Sequence, residues 1–218
     1  MKLITDLSES VKLITEDAGN GAKNFFIEGI FMRGAQKNKN GRMYPTHLLE
    51  REVERYNREY VNENRAYGEL GHPSGPTINL ERVSHMIKSL LKEGDDFIGK
   101  AKIIVDNPYG QIVKNLMKEG ARLGVSSRGL GSLKPKSGYD EVDEDYHLVT
   151  AADIVADPSA PSAFVRGIME SIDYEFVDGR LTEKVVAAQV AVEKAAGTVQ
   201  GLSEAAQIKI FSKFLSSL

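Results

Sequence analysis

The chain has 218 residues, enough for one good-sized domain with a tail or for two small domains, and its 41% apolar and 27% charged residues are ordinary for a soluble globular protein. A formal net charge of −3 argues against a nucleic-acid partner, whose binding domain would be basic. The absence of cysteine excludes thiol catalysis, disulfide staples and cysteine-based zinc sites.

The N-terminal stretch MKLITDLSESVKLITEDAGNGAK carries acids and lacks the apolar run of a signal peptide. No other run approaches the ~18 apolar residues of a membrane span. The sequence reads as a soluble protein of the compartment where it is made, with no membrane partner. Residues 1–22, ending in Asp17-Ala18-Gly19-Asn20-Gly21, read as a flexible, loosely ordered arm. A domain is expected over 23–178, and a helical tail over 179–218.

Within the domain, FFIEGIFM (Phe25–Met32) is aromatic and β-branched and predicts a buried strand. After the loop Lys37–Gly41, Pro45 precedes THLLEREVERYNREYV. There Leu48, Leu49, Val53 and Tyr56 recur at helical spacing, with Thr46 as a candidate cap. The run GELGHPSGP (Gly68–Pro76) holds three glycines and two prolines, so no regular element survives it. Val83–Ile104 predicts a hairpin turning at Glu93-Gly94-Asp95-Asp96. Asn107-Pro108 opens a helix with Ile112, Val113 and Leu116 on one face and Gly120 as its stop. Leu123–Ser127 is short and small-residue-rich and leads into a glycine-rich turn, while YHLVTAADIVA (Tyr146–Ala156) reads as a strand. Many strands with two or three interleaved helices, rather than alternating βαβ units, predict an α+β domain on an antiparallel sheet or barrel. Beyond Gly179, two Ala- and Lys-rich segments broken at Gly201 read as helices.

Four histidines are available: His47, His72, His85 and His147. His47 in a first helical turn reads as a surface residue, and His85 on a hairpin strand as structural. The backbone around His72 is fixed by glycine and proline, which suits either a turn histidine bonded to a carbonyl or a catalytic base. Glu69-x-x-His72 is not a helical metal pair, because Gly71 and Pro73 break the helix that would align the two side chains. No cofactor and no metal are expected.

Ser126 and Ser127 lie among small neighbours in GVSSRGLGS. Such a run lets a carbonyl substrate approach the backbone closely, and equally suits a tight strand-to-turn junction. Arg128 stands where the α/β-hydrolase elbow needs its second glycine, so that family is excluded. A nucleophilic serine needs a base, and the base needs an orienting group. His72 is the best base by elimination. On the strand from Tyr146, His147 and Asp153 are six apart and so share a face of a regular strand. Asp153 sits in an apolar run, where a carboxylate must be paired to be tolerated; bonding to backbone at the strand end is the alternative.

Together, GELGHP, GVSSRGLGS and the pattern D-x-V-x-x-P-S-A-P (Asp153–Pro161) resemble the prohead core proteases of T-even-like tailed phages, considered relatives of herpesvirus assemblin. IEGIFM followed by GRMYP is similar too, so the resemblance runs from about Ile27 to Pro161. It implies an assemblin-like β-barrel surrounded by helices, with catalytic His72, Ser126 as nucleophile in preference to Ser127, and Asp153 as third member. His147 matches no acidic or histidine position of the phage pattern and ranks behind Asp153. Gly71 replaces an asparagine of that pattern, a difference without chemical consequence.

The resemblance further implies a serine endopeptidase acting inside the prohead, in the host cytoplasm, during capsid maturation. Its substrates would be phage scaffold, core and capsid proteins, cut after glutamate in Leu/Ile-x-Glu, and also itself. Self-association into a homo-oligomer is compatible with the sequence. Matching tripeptides end at Glu9, Glu16, Glu170, Glu183 and Glu204, outside the predicted core, and at Glu50 and Glu93 inside elements. Arg128 is one candidate cation for a glutamate pocket, and backbone N–H groups near Arg128-Gly129 are candidate oxyanion donors. The rival reading is a non-catalytic structural or scaffold component using the same barrel.

Overall fold

The computed structural model describes residues 1–8, 11–17, 23–71, 75–156, 172–177 and 180–185. Its strands are β1 (Lys2–Ser8), β2 (Val11–Asp17), β3 (Lys23–Arg33), β4 (Arg42–Met43), β5 (Tyr67–Glu69), β6 (Val83–Glu93) and β7 (Asp96–Ile103). They continue with β8 (Gly124–Gly131), β9 (Leu133–Lys136), β10 (Tyr139–Val142), β11 (His147–Val155), β12 (Ile172–Val177) and β13 (Arg180–Val185). Two α-helices, α1 (Thr46–Tyr56) and α2 (Pro108–Lys118), complete the set, with a π-helical turn at Asn57–Val61 and a 3-10 turn at Leu80–Arg82.

The strands form a five-stranded sheet in the order β2-β3-β7-β6-β5, a three-stranded sheet β1-β8-β11, a smaller β4-β10-β9 sheet and the β12-β13 hairpin. Every pairing is antiparallel except β4 with β10. The two larger sheets bury one core, in which Ile4, Val125 and Leu148 meet Ile27, Phe31 and Ile87.

The strand at Phe25–Met32, the Val83–Ile104 hairpin and both helices form as their patterns predict. In α1 the spaced apolar residues Leu48, Leu49, Val53 and Tyr56 are buried. Thr46 does not cap this helix; its hydroxyl instead donates to Asp95 Oδ1 at 2.5 Å. Glu52 on α1 accepts the Leu148 N–H at 2.9 Å and Arg55 donates to the Leu148 carbonyl at 2.7 Å, which locks the helix onto β11. Asn107 caps α2 by accepting the Gly110 N–H at 2.7 Å, and Gly120 ends it at φ +85°. Only Val113 of the expected apolar face is buried, whereas Ile112 and Leu116 stay exposed.

Four expectations are corrected. No closed barrel forms among the described strands: the two larger sheets pack on one core, but their only β-pairing among the described residues is an isolated parallel bridge, Leu70–Ile154. A barrel needs each strand laddered on both edges, and β5 has three residues and a register shift at Gly68/Glu69, too little to run along β11. Next, the expected loose arm carries two docked strands, β1 against β8 and β2 against β3. The glycine-rich stretch after Ser127 is no turn either. It continues β8, where a Cβ on Gly129 would stand 2.4 Å from the Tyr146 ring, so glycine is needed for close approach of strand and ring. Lastly, residues 180–185, expected to begin a helix, form β13. The helical expectation beyond residue 185 lies outside the described residues.

What docks β1 is a polar cluster around Asp6. Its Oδ1 accepts from Asn40 Nδ2 at 2.9 Å and Arg42 Nη1 at 3.2 Å, and Oδ2 accepts from the Tyr44 hydroxyl. Asn40 and Arg42 also donate to the Thr5 carbonyl. Asp6→Ala would leave the buried Tyr44 hydroxyl and the part-buried Asn40 and Arg42 donors without their shared acceptor. It should cost about 2 kcal/mol or more, lowering the thermal midpoint by roughly 5 °C for a chain of this size. A midpoint unchanged in calorimetry would show that β1 is held by its ladder alone.

Candidate active site

Strand β8 is buried at all eight positions and lies between β1 and β11. Small side chains make this position available: serine and glycine let both neighbouring strands and the Tyr146 ring close over it. Ser126 pairs with Asp153 across the β8–β11 ladder, so the two side chains share one face of the sheet. Ser126 is 1% exposed, and among the described residues its hydroxyl makes only a long contact, 3.4 Å, to the Ser127 carbonyl. Ser127 alternates to the opposite face, where its hydroxyl lies 3.4 Å from the Asp6 carbonyl. Of the two serines, only Ser126 shares a face with Asp153 and with Arg128.

Arg128 fills that face. Its Nε donates to Asp153 Oδ2 at 2.8 Å, and Nη2 donates to Asp153 Oδ1 at 3.2 Å and Glu69 Oε1 at 3.1 Å. Nη1 donates to the carbonyls of Gly75 at 2.7 Å and Thr77 at 3.2 Å. All five N–H donors of the guanidinium are thus used, and the residue is 0% exposed. The structure therefore corrects the assignment of Arg128 to a glutamate pocket, because it has no donor left for a substrate. The expected oxyanion donors are corrected as well. Arg128 and Gly129 are paired with Thr5 and Ile4 of β1 on one side and with Thr150 and Leu148 of β11 on the other, so their backbone lies inside the sheet.

Asp153 also accepts the Glu69 N–H at 2.9 Å. Among the described residues, three donor contacts from Arg128 and Glu69 therefore meet a group with about four acceptor sites, which leaves a further site on Oδ2. Burial pushes the Asp153 carboxyl up to about 6, against the pull of Arg128. Glu69 is fully buried too; beyond Arg128 it accepts the Asn79 N–H at 3.0 Å and lies 3.6 Å from Arg82 Nε. Two arginines and two carboxylates make the cluster formally neutral.

His72 lies outside the described residues, but both flanks of its segment are in view. The Gly71 N–H donates to the Ile154 carbonyl at 2.7 Å, one residue beyond Asp153, and the Gly75 carbonyl is held by Arg128.

The other histidines are placed. His85 is fully buried, its Nε2 3.0 Å from the Ala152 carbonyl and its Nδ1 2.9 Å from the Ser84 hydroxyl. Its ring fills the space above Gly68, where a Cβ would be 2.1 Å from Nε2. It is structural, as its strand position suggests. His47 is exposed and pairs with Glu144 at 2.8 Å. His147 is half-buried with Nδ1 3.9 Å from Glu52, and burial lowers its pKa. Two register shifts separate His147 from Asp153 on β11, so the pair expected on one regular face belongs to different surroundings.

Sequence reasoning missed the Arg128–Asp153–Glu69–Arg82 cluster. Its signal is present in the chain: an arginine in a run of small residues and an aspartate in an apolar strand each demand a buried counter-charge.

The chain matches the family model described as prohead core protein serine protease over residues 5–173, and it belongs to that family. It is 39% identical over 142 residues to the prohead core protein protease of Enterobacteria phage T4, covering 64% of this chain and 67% of that protein. The fold is similar to the structure of the bacteriophage T4 capsid assembly protease, with a TM-score of 0.65 and 30% identity over 71% of this chain and 97% of that one.

His85 and Asp153 give opposite pH dependences to stability. Burial depresses His85 from its ordinary 6.5 to about 4, so its contribution is complete above pH 6.5 and is lost as pH falls towards 4. The full loss is about 3 kcal/mol. Asp153, raised from 3.8 to about 6, contributes fully below its unfolded value and loses that contribution as pH rises through 6. Because the two slopes oppose, the test is a difference. The stability of wild type minus that of His85→Gln, from urea melts, should grow by about 3 kcal/mol between pH 4 and 6.5. A pH-independent difference would mean that burial leaves the His85 pKa where it stands in the unfolded chain, and a difference that shrinks as pH rises would mean that the ring is held charged.

Proposed function

We propose that this protein is a serine endopeptidase of capsid maturation, with Ser126 as nucleophile, His72 as general base and acid, and Asp153 as the group that orients the imidazole. One observation carries the reading. Ser126 and Asp153 face each other across a buried ladder, and the residue after Asp153 accepts the N–H of the residue before His72. Ser126 Oγ attacks the scissile carbonyl while His72 takes its proton, and the protonated imidazole then delivers that proton to the leaving amine. Water repeats the cycle on the acyl-enzyme to free the serine. Asp153, with an acceptor site remaining on Oδ2, holds the imidazole in the tautomer that can receive the proton.

The substrates are the scaffold, core and capsid proteins of the prohead, and the protein acts inside the prohead within the host cell. Membership of the prohead core protease family supports this setting. Among the described residues no helix is long and apolar enough to cross a membrane.

Cleavage follows glutamate in Leu/Ile-x-Glu, and the chain processes itself. The register of β1 supports self-processing: Leu7 pairs with Ser126 and Ser8 with Val125, so the strand that precedes Glu9 in the chain runs along the candidate nucleophile. Glu9 follows the end of β1. Glu16 lies within β2, where its carboxylate binds Lys100, so cutting there requires the strand to open.

Ser126→Ala should abolish cleavage of a Leu-Ser-Glu peptide, by about 10³-fold or more, while leaving the circular dichroism unchanged. Wild-type turnover by that variant would move the role to Ser127 or end the serine reading. Mass spectrometry of the active wild-type chain should find new ends after Glu16, Glu183 or Glu204. Intact termini in fully active protein would contradict self-processing.

A further inference from the structure

Arg128 has no part in the acyl-transfer steps, yet its side chain reaches β11, β5 and the Gly75–Thr77 backbone. It stands two residues along β8 from Ser126 and so on the same face. One edge of its guanidinium, Nε with Nη2, grips both oxygens of Asp153. Nη2 also reaches Glu69, at the end of β5. The opposite corner, Nη1, holds the Gly75 and Thr77 carbonyls. The planar group therefore fixes three separations at once: strand β8 to β11, β11 to β5, and both to the backbone at Gly75–Thr77.

We propose that Arg128 is a positioning residue of the protease, a rigid clamp that sets the plane of the Asp153 carboxylate and ties it to the Gly75–Thr77 backbone beside Ser126. The inference rests on the serine-protease reading above. It assigns Arg128 to catalytic geometry, not to recognition of the glutamate that precedes the cut.

Three observations favour a clamp over a plain structural ion pair. A pair that only neutralised Asp153 would need one contact, whereas Arg128 spends two of its donors on loop carbonyls. Glu69 is itself held in place, by the Asn79 N–H and by Arg82, whose Nη2 donates to the Leu70 carbonyl at 2.8 Å. The residues around Arg128 thus form a second ring that fixes both ends of the segment 70–77. And Asp153 needs its remaining Oδ2 acceptor site aimed in one direction, which a bidentate partner in a fixed plane provides and a point charge does not.

Lysine keeps the charge but lacks the fork, and glutamine keeps polarity without charge. With a peptide of residues 4–14 as substrate and the full chain as enzyme, Arg128→Lys should lose about 10²-fold in kcat, the scale of a misplaced catalytic group, with KM changed less than about threefold. Amide exchange at residues 75–78 should quicken in both variants. The acid limb of kcat/KM, set by ionisation of Asp153 among Glu69, Arg82 and Arg128, should move to higher pH in Arg128→Gln and less in Arg128→Lys.

A purely structural role would lower the folded fraction but leave the acid limb and the kcat of the folded enzyme where they are. That result, or wild-type kcat in Arg128→Lys, would overturn the proposal. So would a rise in KM at unchanged kcat, which belongs to a substrate-binding cation. If Arg128→Gln does not fold, Glu69→Gln tests the same clamp from its other side, and should also quicken exchange at residues 75–78 and lower kcat. Ser126→Ala, run beside these, separates the two claims: its inactivity with unaffected Arg128 variants removes only the clamp, and its activity removes Ser126 as the nucleophile on which the clamp rests.

Discussion

A guanidinium without exposure to water joins three strands and a loop at the centre of this protein, and most of the site's geometry follows from the need to satisfy it. Burying an isolated charge costs several kcal/mol or more, and a partner repays that only with close geometry and complete hydrogen bonding. Arg128 meets both conditions by drawing two carboxylates and two carbonyls onto its five donors. Those acceptors come from β11, β5 and the segment after Gly71, which are distant in sequence. Whatever satisfies Arg128 therefore also assembles the surroundings of Ser126.

The backbone makes room for this arrangement. In β8 the serines and glycines flanking Arg128, covered on both edges and under Tyr146, leave the space on that face for its side chain. The same smallness leaves Ser126 on the face that Arg128 and Asp153 occupy. β1 lies along the other edge, held by Asp6 against Asn40, Arg42 and Tyr44, so Ser126 sits in a strand paired on both sides and is buried.

Local pattern makes part of this legible in the sequence. Helical spacing places α1 and α2, β-branched runs place β3 and β11, and the Glu93–Asp96 turn places the β6–β7 hairpin. Motif resemblance selects Ser126 and Asp153, which composition alone leaves beside structural alternatives. What a linear pattern lacks is pairing between distant elements. Asp153 visibly needs a counter-charge, but nothing along the chain says that Arg128 is that charge rather than part of a substrate pocket. The arm before residue 23 reads as polar and loose because its strands are short and carry their stabilising contacts, Asp6 above all, through residues more than thirty positions away. The glycines after Ser127 read as a turn because close packing on Tyr146 and a tight bend call for the same residue.

The serine reading has one direct chemical test that needs no substrate. An aryl fluorophosphonate reacts with a serine only where a base activates it, and peptide mapping then reports which one. Treated in its active form, the protein should carry a single adduct on Ser126, and His72→Ala should prevent it. An adduct on Ser127 instead, or none in protein that cleaves its peptide, would contradict the account.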